Sequence, residues 1–157
     1  MLIQIAKLTL AGAACAALTV GCHSSPASSG DQAAPAAAAP VNTEAKATPE
    51  VTVTQVASYI KDKSATVFDA NDPDTRHEYG VVPGALLLSS HKSYPLNVLP
   101  AQKSDKLVFY CGGTQCRASD AAAARATSAG YSDVSVMRAG IRGWKDAGMP
   151  TSAAPQS

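Results

Sequence analysis

Aromatic residues are scarce in this chain of 157 residues: they make up 5% of it, and all of them lie between Tyr59 and Trp144. The foldable core therefore belongs to the second two-thirds of the sequence, because aromatic side chains carry much of the apolar surface a core buries. Charge is scarce too. Charged residues are 16%, and 13 basic against 12 acidic side chains leave a formal charge of +1. A chain with no surplus of one sign has no electrostatic footprint for nucleic acid and no strong steering field. Histidine is limited to His23, His77 and His91. None sits in a cluster at metal-ligand spacing, so surface positions are expected and neither a metal nor a cofactor. A long apolar run is also missing. The most apolar stretch, Leu8 to Val20, would span only about 20 Å as a helix, short of the roughly 30 Å hydrocarbon core. That argues against a lasting transmembrane anchor, and the length leaves room for one ordinary domain plus tails.

What is present begins with Lys7, followed by that apolar stretch and Leu18-Thr19-Val20-Gly21-Cys22. Residues 1–22 read as an export signal. Its end resembles the lipobox of bacterial lipoproteins, except that Thr19 stands where Leu is usual and Leu18 lies one residue further back. The resemblance implies cleavage before Cys22 and lipidation of its thiol. It also implies an exported, lipid-anchored protein of the cell envelope. His23, where an Asp would favour the inner membrane, implies the outer membrane facing the periplasm if the host is Gram-negative. Residues 23–48 hold Ala, Ser, Pro and Gly with Val41 as the one larger aliphatic, and Pro26, Pro35 and Pro40 interrupt the alanine run. Such a segment builds no core and reads as a disordered tether, about 30 Å end to end as a random coil.

Residues 49–151 carry the pattern of a domain, with 152–157 as a disordered tail. Thr52-Val53-Thr54-Gln55 has capping-box form, and Val53, Val56, Ala57 and Ile60 follow at helical spacing. Val67 to Ala70 reads as a strand, Asp72-Pro73 as a helix start, Ala85 to Leu88 as a second strand, and Lys106 to Tyr110 as a central one. Ser119 to Ala129 is an alanine-rich helix closed by Gly130, Val134 to Met137 a further strand, and Ile141 to Ala147 a last helix before Gly148 and Pro150. Strands alternating with helices at these spacings predict an α/β fold with a mostly parallel sheet.

Ligands of such sheets bind beyond the carboxyl ends of the strands. The segment there is Cys111-Gly112-Gly113-Thr114-Gln115-Cys116-Arg117. A cysteine at a strand tip, followed by two glycines and a helix start, allows backbone N–H groups to curl around the sulfur and favour the thiolate. Arg117 supplies a cation suited to a sulfur oxyanion, phosphate or arsenate. A buried structural thiol at Cys111, or a structural disulfide with Cys116, is the plainer alternative.

Several stretches together resemble a single rhodanese domain, the fold of thiosulfate sulfurtransferases: Val67-Phe68-Asp69, Glu78-Tyr79-Gly80 leading to Val82-Pro83-Gly84-Ala85, Val108-Phe109-Tyr110-Cys111, and Ala139-Gly140-Ile141-Arg142-Gly143-Trp144. The resemblance implies a rhodanese-like three-layer α/β/α fold with a mostly parallel central sheet. It implies Cys111 as the catalytic cysteine, accepting sulfane sulfur as a persulfide and passing it to a thiophilic acceptor. Arg117 would orient the donor, and Gly112, Gly113, Thr114, Gln115 and Cys116 would form the active-site loop. The partners implied are a small sulfur-containing anion or a thiol or persulfide carrier. Three departures matter. The family's Asp-x-Arg reads Asp69-Ala70-Asn71, with Arg76 the candidate replacement. The usual histidine before the Pro-Gly turn is Val81. The loop, counted as Cys111 to Arg117, has the seven-residue length of the phosphatase and arsenate reductase branch. Counted as six, it ends on Cys116, a pattern similar to exported rhodanese-like proteins with paired cysteines. Five residues apart around a tight loop, Cys111 and Cys116 are expected to pair in a reversible disulfide, or Cys116 to act as a resolving thiol. A non-catalytic or thiol-redox module, and less strongly a phosphatase or arsenate reductase, are the other readings.

The envelope reading makes a direct prediction. Metabolic labelling with a palmitate analogue marks the wild type and spares Cys22→Ala, because the nearly balanced charge leaves lipid as the means of attachment. Equal labelling of both would refute it.

Overall fold

The computed structural model describes residues 47–154. The expected export segment with Cys22, the expected tether as far as residue 46, and residues 155–157 lie outside the described residues. Helix α1 (Val53–Asp62) starts at a complete capping box. The Thr52 hydroxyl accepts from the Gln55 N–H at 3.2 Å, and the Gln55 side chain accepts from the Thr52 N–H at 2.8 Å. Two backbone donors at the helix start are thereby satisfied reciprocally. Strand β1 (Thr66–Asp69) follows, then α2 (Pro73–Tyr79), capped by Asp72, which accepts from the Thr75 N–H at 2.8 Å. Next come β2 (Leu86–Leu87), a 3₁₀ turn at Leu96–Val98, β3 (Leu107–Tyr110), α3 (Ala118–Ser128), β4 (Val134–Met137) and α4 (Gly140–Asp146).

The four strands form one sheet in the order β2-β1-β3-β4, every pair parallel. Asp69 lies opposite Leu87 and Tyr110, and Tyr110 opposite Met137, so the carboxyl ends of all four strands finish at one level. Alternation along each strand separates two cores. Phe68, Leu107, Phe109, Val134 and Val136 pack under α3, with Phe68 and Phe109 stacked at 5.0 Å between centroids. The facing side of α3 is Ala122, Ala123 and Ala126, all fully buried, small enough to bring the helix close to the sheet. Val67, Val108, Tyr110 and Met137 face the other way, toward Val56 of α1 and Ile141 and Trp144 of α4. The result is the expected α/β/α arrangement. Trp144 is core packing: its indole N–H donates to the Pro150 carbonyl at 2.7 Å.

Strands β1 and β3 and helices α3 and α4 end within one residue of the sequence reading, and two differences go further. Strand β2 is two residues long, not four, because Ala85 is held in a turn by its N–H to the Val82 carbonyl. Ser152, assigned to the tail, is paired with Val81 through two backbone hydrogen bonds of 2.9 Å. At the opposite end, Glu50 bridges Val136 in parallel and extends the sheet past β4.

The strand ends are fastened by one buried carboxylate. Asp69 is fully buried and accepts from the Tyr110 hydroxyl at 2.5 Å, the Asn71 N–H at 2.7 Å and the Arg76 Nε at 3.3 Å. Arg76 also donates to the carbonyls of Asp69 and Leu88, at 3.1 and 2.9 Å. Arg76, from α2, therefore supplies the cation that Asn71 does not. Tyr110 in turn accepts from the Val82 N–H at 3.0 Å. Burial, reinforced by the neighbouring Asp69 charge, pushes the Tyr110 phenol well above its usual range.

Tyr110→Phe leaves a buried carboxylate oxygen and a buried N–H without this partner, which costs about 1–3 kcal/mol. The urea midpoint should fall with the slope unchanged. A phenol whose folded pKa is raised contributes stability fully below its unfolded value of about 10, and loses it as pH climbs beyond. The deficit of the variant should accordingly narrow above pH 10, and a constant deficit up to pH 11 would contradict the assignment.

Candidate active site

The residue after β3 keeps the strand's alternation, so Cys111 falls on the α3 side, in line with Phe109, and is 2% exposed. Its Sγ is joined to Sγ of Cys116 in a disulfide, with Cα atoms 6.2 Å apart. A turn explains how the chain doubles back: the Cys116 N–H donates to the Gly113 carbonyl at 2.9 Å. Cys116 is half-buried against the core under α3.

The loop between them rests on the start of α4. The N–H groups of Ile141 and Arg142 donate to the carbonyls of Cys111 and Gly112, at 2.8 and 3.2 Å. Close approach requires Gly140, whose φ of 64° is left-handed and whose missing Cβ would meet the Gly112 carbonyl carbon at 2.7 Å. Three loop carbonyls are thus engaged. The N–H groups of Gly112, Gly113, Thr114 and Gln115 have no acceptor among the described residues. Successive free N–H groups beside the N-terminal end of an eleven-residue helix, α3, make a positive lining suited to an anionic sulfur. The Ser119 hydroxyl, buried in the first turn of α3, lies 3.3 Å from Cys111 Sγ. A disulfide sulfur carries no hydrogen, so the hydroxyl is the donor here, and the same donor faces the thiolate once the bond is reduced.

The loop opens onto a cleft of about 900 Å³ at the carboxyl ends of the strands. Gly112, Gly113, Thr114, Gln115 and Cys116 all line it. Arg117 does not. It stands just before α3, its side chain 76% exposed and 3.4 Å from Asp120. Asp120 is held by Arg138 through two bonds of 2.6 and 2.7 Å, which keeps its carboxyl below the usual range.

Other residues supply the polar wall. Asn71 is 7% exposed, lines the cleft, and its Nδ2 has no hydrogen-bond partner among the described residues. Arg76 and Arg142 line the cleft as cations, and Arg142 lies over the Tyr79 ring at 4.9 Å. Half-buried His91 is there too, with Asp72 and Asp146. The sequence signal for Arg142 was its place in the Gly140–Trp144 stretch. Asn71 carried a signal only as the residue replacing an expected arginine.

A family profile for the rhodanese-like domain matches residues 52–147. Among solved structures, a Bacillus halodurans protein superposes with a TM-score of 0.57 at 20% identity, covering 68% of this chain and 77% of its own. The rhodanese-like domain of an Anabaena protein gives 0.56 at 23%, covering 68% and 80%. A Rhodopseudomonas palustris protein of unknown function, described as a possible tyrosine phosphatase, gives 0.53 at 24%, covering 67% and 85%. None of the curated proteins matches the chain.

Ser119→Ala tests the local electrostatics. In a reduced Cys116→Ser background the midpoint of the pH dependence of Cys111 alkylation should move up, because the thiolate loses a hydrogen-bond donor. An unmoved midpoint would show that the hydroxyl does not favour the thiolate.

Proposed function

The chain belongs to the rhodanese-like domain family, and from that premise we propose that it is a sulfurtransferase of the cell envelope, anchored through lipid on Cys22. The observation that carries the reading is the surroundings of Cys111. The sulfur sits at the carboxyl end of β3, below a loop whose N–H groups at 112–115 are unengaged, and beside the Ser119 hydroxyl. Reduction of the disulfide frees it. The Cys111 thiolate then attacks the outer sulfur of a donor such as thiosulfate. A sulfur–sulfur bond forms to Cys111, the donor's own sulfur–sulfur bond breaks, and sulfite leaves with the electron pair. The N–H groups hold the resulting anionic persulfide, and Arg142 and Asn71 face the donor's oxygens in the cleft. A thiophilic acceptor removes the sulfur. Arg117, turned toward Asp120, is assigned at most a remote electrostatic part. That placement also disfavours a phosphatase or arsenate reductase reading, in which the closing arginine holds the oxyanion. The Cys111–Cys116 bond itself favours one second reading, a thiol-redox module without sulfur transfer.

Mass spectrometry separates the two. Reduced wild-type protein given thiosulfate should gain one sulfur atom, about 32 Da, as a persulfide or release sulfite in one equivalent. Cys111→Ser should do neither, with activity lost by several orders of magnitude because no other group carries the covalent sulfur. Sulfur uptake that survives Cys111→Ser and vanishes in Cys116→Ser would identify the other thiol as nucleophile, and no uptake at all would favour the redox module.

A further inference from the structure

Resting on sulfur uptake by Cys111 and extending it to the fate of the sulfur, we propose that Cys116 discharges the Cys111 persulfide within the molecule, releasing hydrosulfide and leaving the disulfide present in the structure.

Cys116 is built into position to do this. The Gly113–Cys116 turn returns the chain to Cys111, and the two Cα atoms stand 6.2 Å apart, inside the roughly 4.4–6.8 Å that a disulfide needs. Neither end is loose. The Cys111 carbonyl is bound by the Ile141 N–H at 2.8 Å, and Cys116 is packed against the core beneath α3. A thiol held this way meets the persulfide at an effective concentration of about millimolar or higher, ahead of dilute external acceptors. The unengaged loop N–H groups are beside the site where negative charge leaves.

The chemistry balances without an outside oxidant. In the first step the Cys111 thiolate takes the sulfane sulfur of thiosulfate and sulfite departs. In the second, the Cys116 thiolate attacks Cys111 Sγ. The bond between the two cysteine sulfurs forms, the bond from Cys111 to the sulfane sulfur breaks, and its electron pair leaves on that sulfur as hydrosulfide. Two thiols and one thiosulfate become one disulfide, one hydrosulfide and one hydrogen sulfite. The two electrons that reduce the sulfane sulfur come from the two cysteines. A dithiol reductant then reopens the disulfide by exchange and completes a turnover.

The test uses reduced full-length protein, freed of reductant and kept anaerobic, with one equivalent of thiosulfate. Sulfite, hydrosulfide, free thiols and intact mass are measured together. Wild type should release sulfite and hydrosulfide in equal amounts, lose two thiols and retain no added sulfur. Cys116→Ser and Cys116→Ala should still release sulfite, but with at least about tenfold less hydrosulfide for each sulfite, and keep the persulfide. Sulfite without hydrosulfide from wild type, with a lasting persulfide, overturns this step and leaves sulfur uptake standing. Hydrosulfide release undiminished in both variants overturns it as well. No sulfite from wild type overturns sulfur uptake, and the discharge with it.

Discussion

The carboxylate of Asp69 is fully buried at the end of β1, and its charge there requires several donors at once. It draws Tyr110 from β3, Arg76 from α2 and the Asn71 N–H from the chain just beyond it, and Arg76 continues to the last carbonyls of β1 and the Leu88 segment. Three strand ends are thereby fixed relative to one another at the level where the cleft begins. The price of leaving that charge unpaired is what makes the arrangement rigid: losing one partner of a buried pair costs about 3–5 kcal/mol. Cys111 is the next residue after Tyr110. Its position is therefore set by the same network, although its own side chain hydrogen-bonds to Ser119 and not to the charged groups.

Parity does the rest. Tyr110 and Cys111 are consecutive and so face opposite sides of the sheet, one toward α1 and α4, the other toward α3. The sulfur meets the alanine-lined face and the Ser119 hydroxyl, while the backbone that follows it settles on Gly140. The loop is consequently gripped from both helical layers. Two of its carbonyls go to α4, and its free N–H groups lie beside the start of α3.

Most of this frame was legible in the sequence. The Thr52–Gln55 capping box, the Asp72-Pro73 helix start and the strand Val134–Met137 are local signals, decided by side chains within a few residues of one another. The cysteine loop was legible for the same reason. What escaped depended on distance along the chain. Ser152 pairs with Val81, 71 residues away, and no local signal announces it. Arg117 neighbours the loop in sequence, yet it stands at the turn into α3 with its side chain beside Asp120. Arg142 and Arg76 come from other elements and reach the cleft because the parallel sheet brings all its carboxyl ends to one side. The unpartnered carboxamide of Asn71 is visible only once its neighbours are known.

The short pairing beyond β4 has a mechanical consequence. The chain enters the sheet through two backbone hydrogen bonds, Val51 N–H to the Val136 carbonyl at 2.9 Å and Val136 N–H to the Pro49 carbonyl at 2.8 Å, braced by Arg138 on Glu50 at 3.0 Å. Tension applied through the amino-terminal side is borne first by those three contacts at the outer edge. β1 and the Asp69 network lie two strands inward, on the far side of β3. The edge can yield as a fuse while the strands that set Cys111 keep their register.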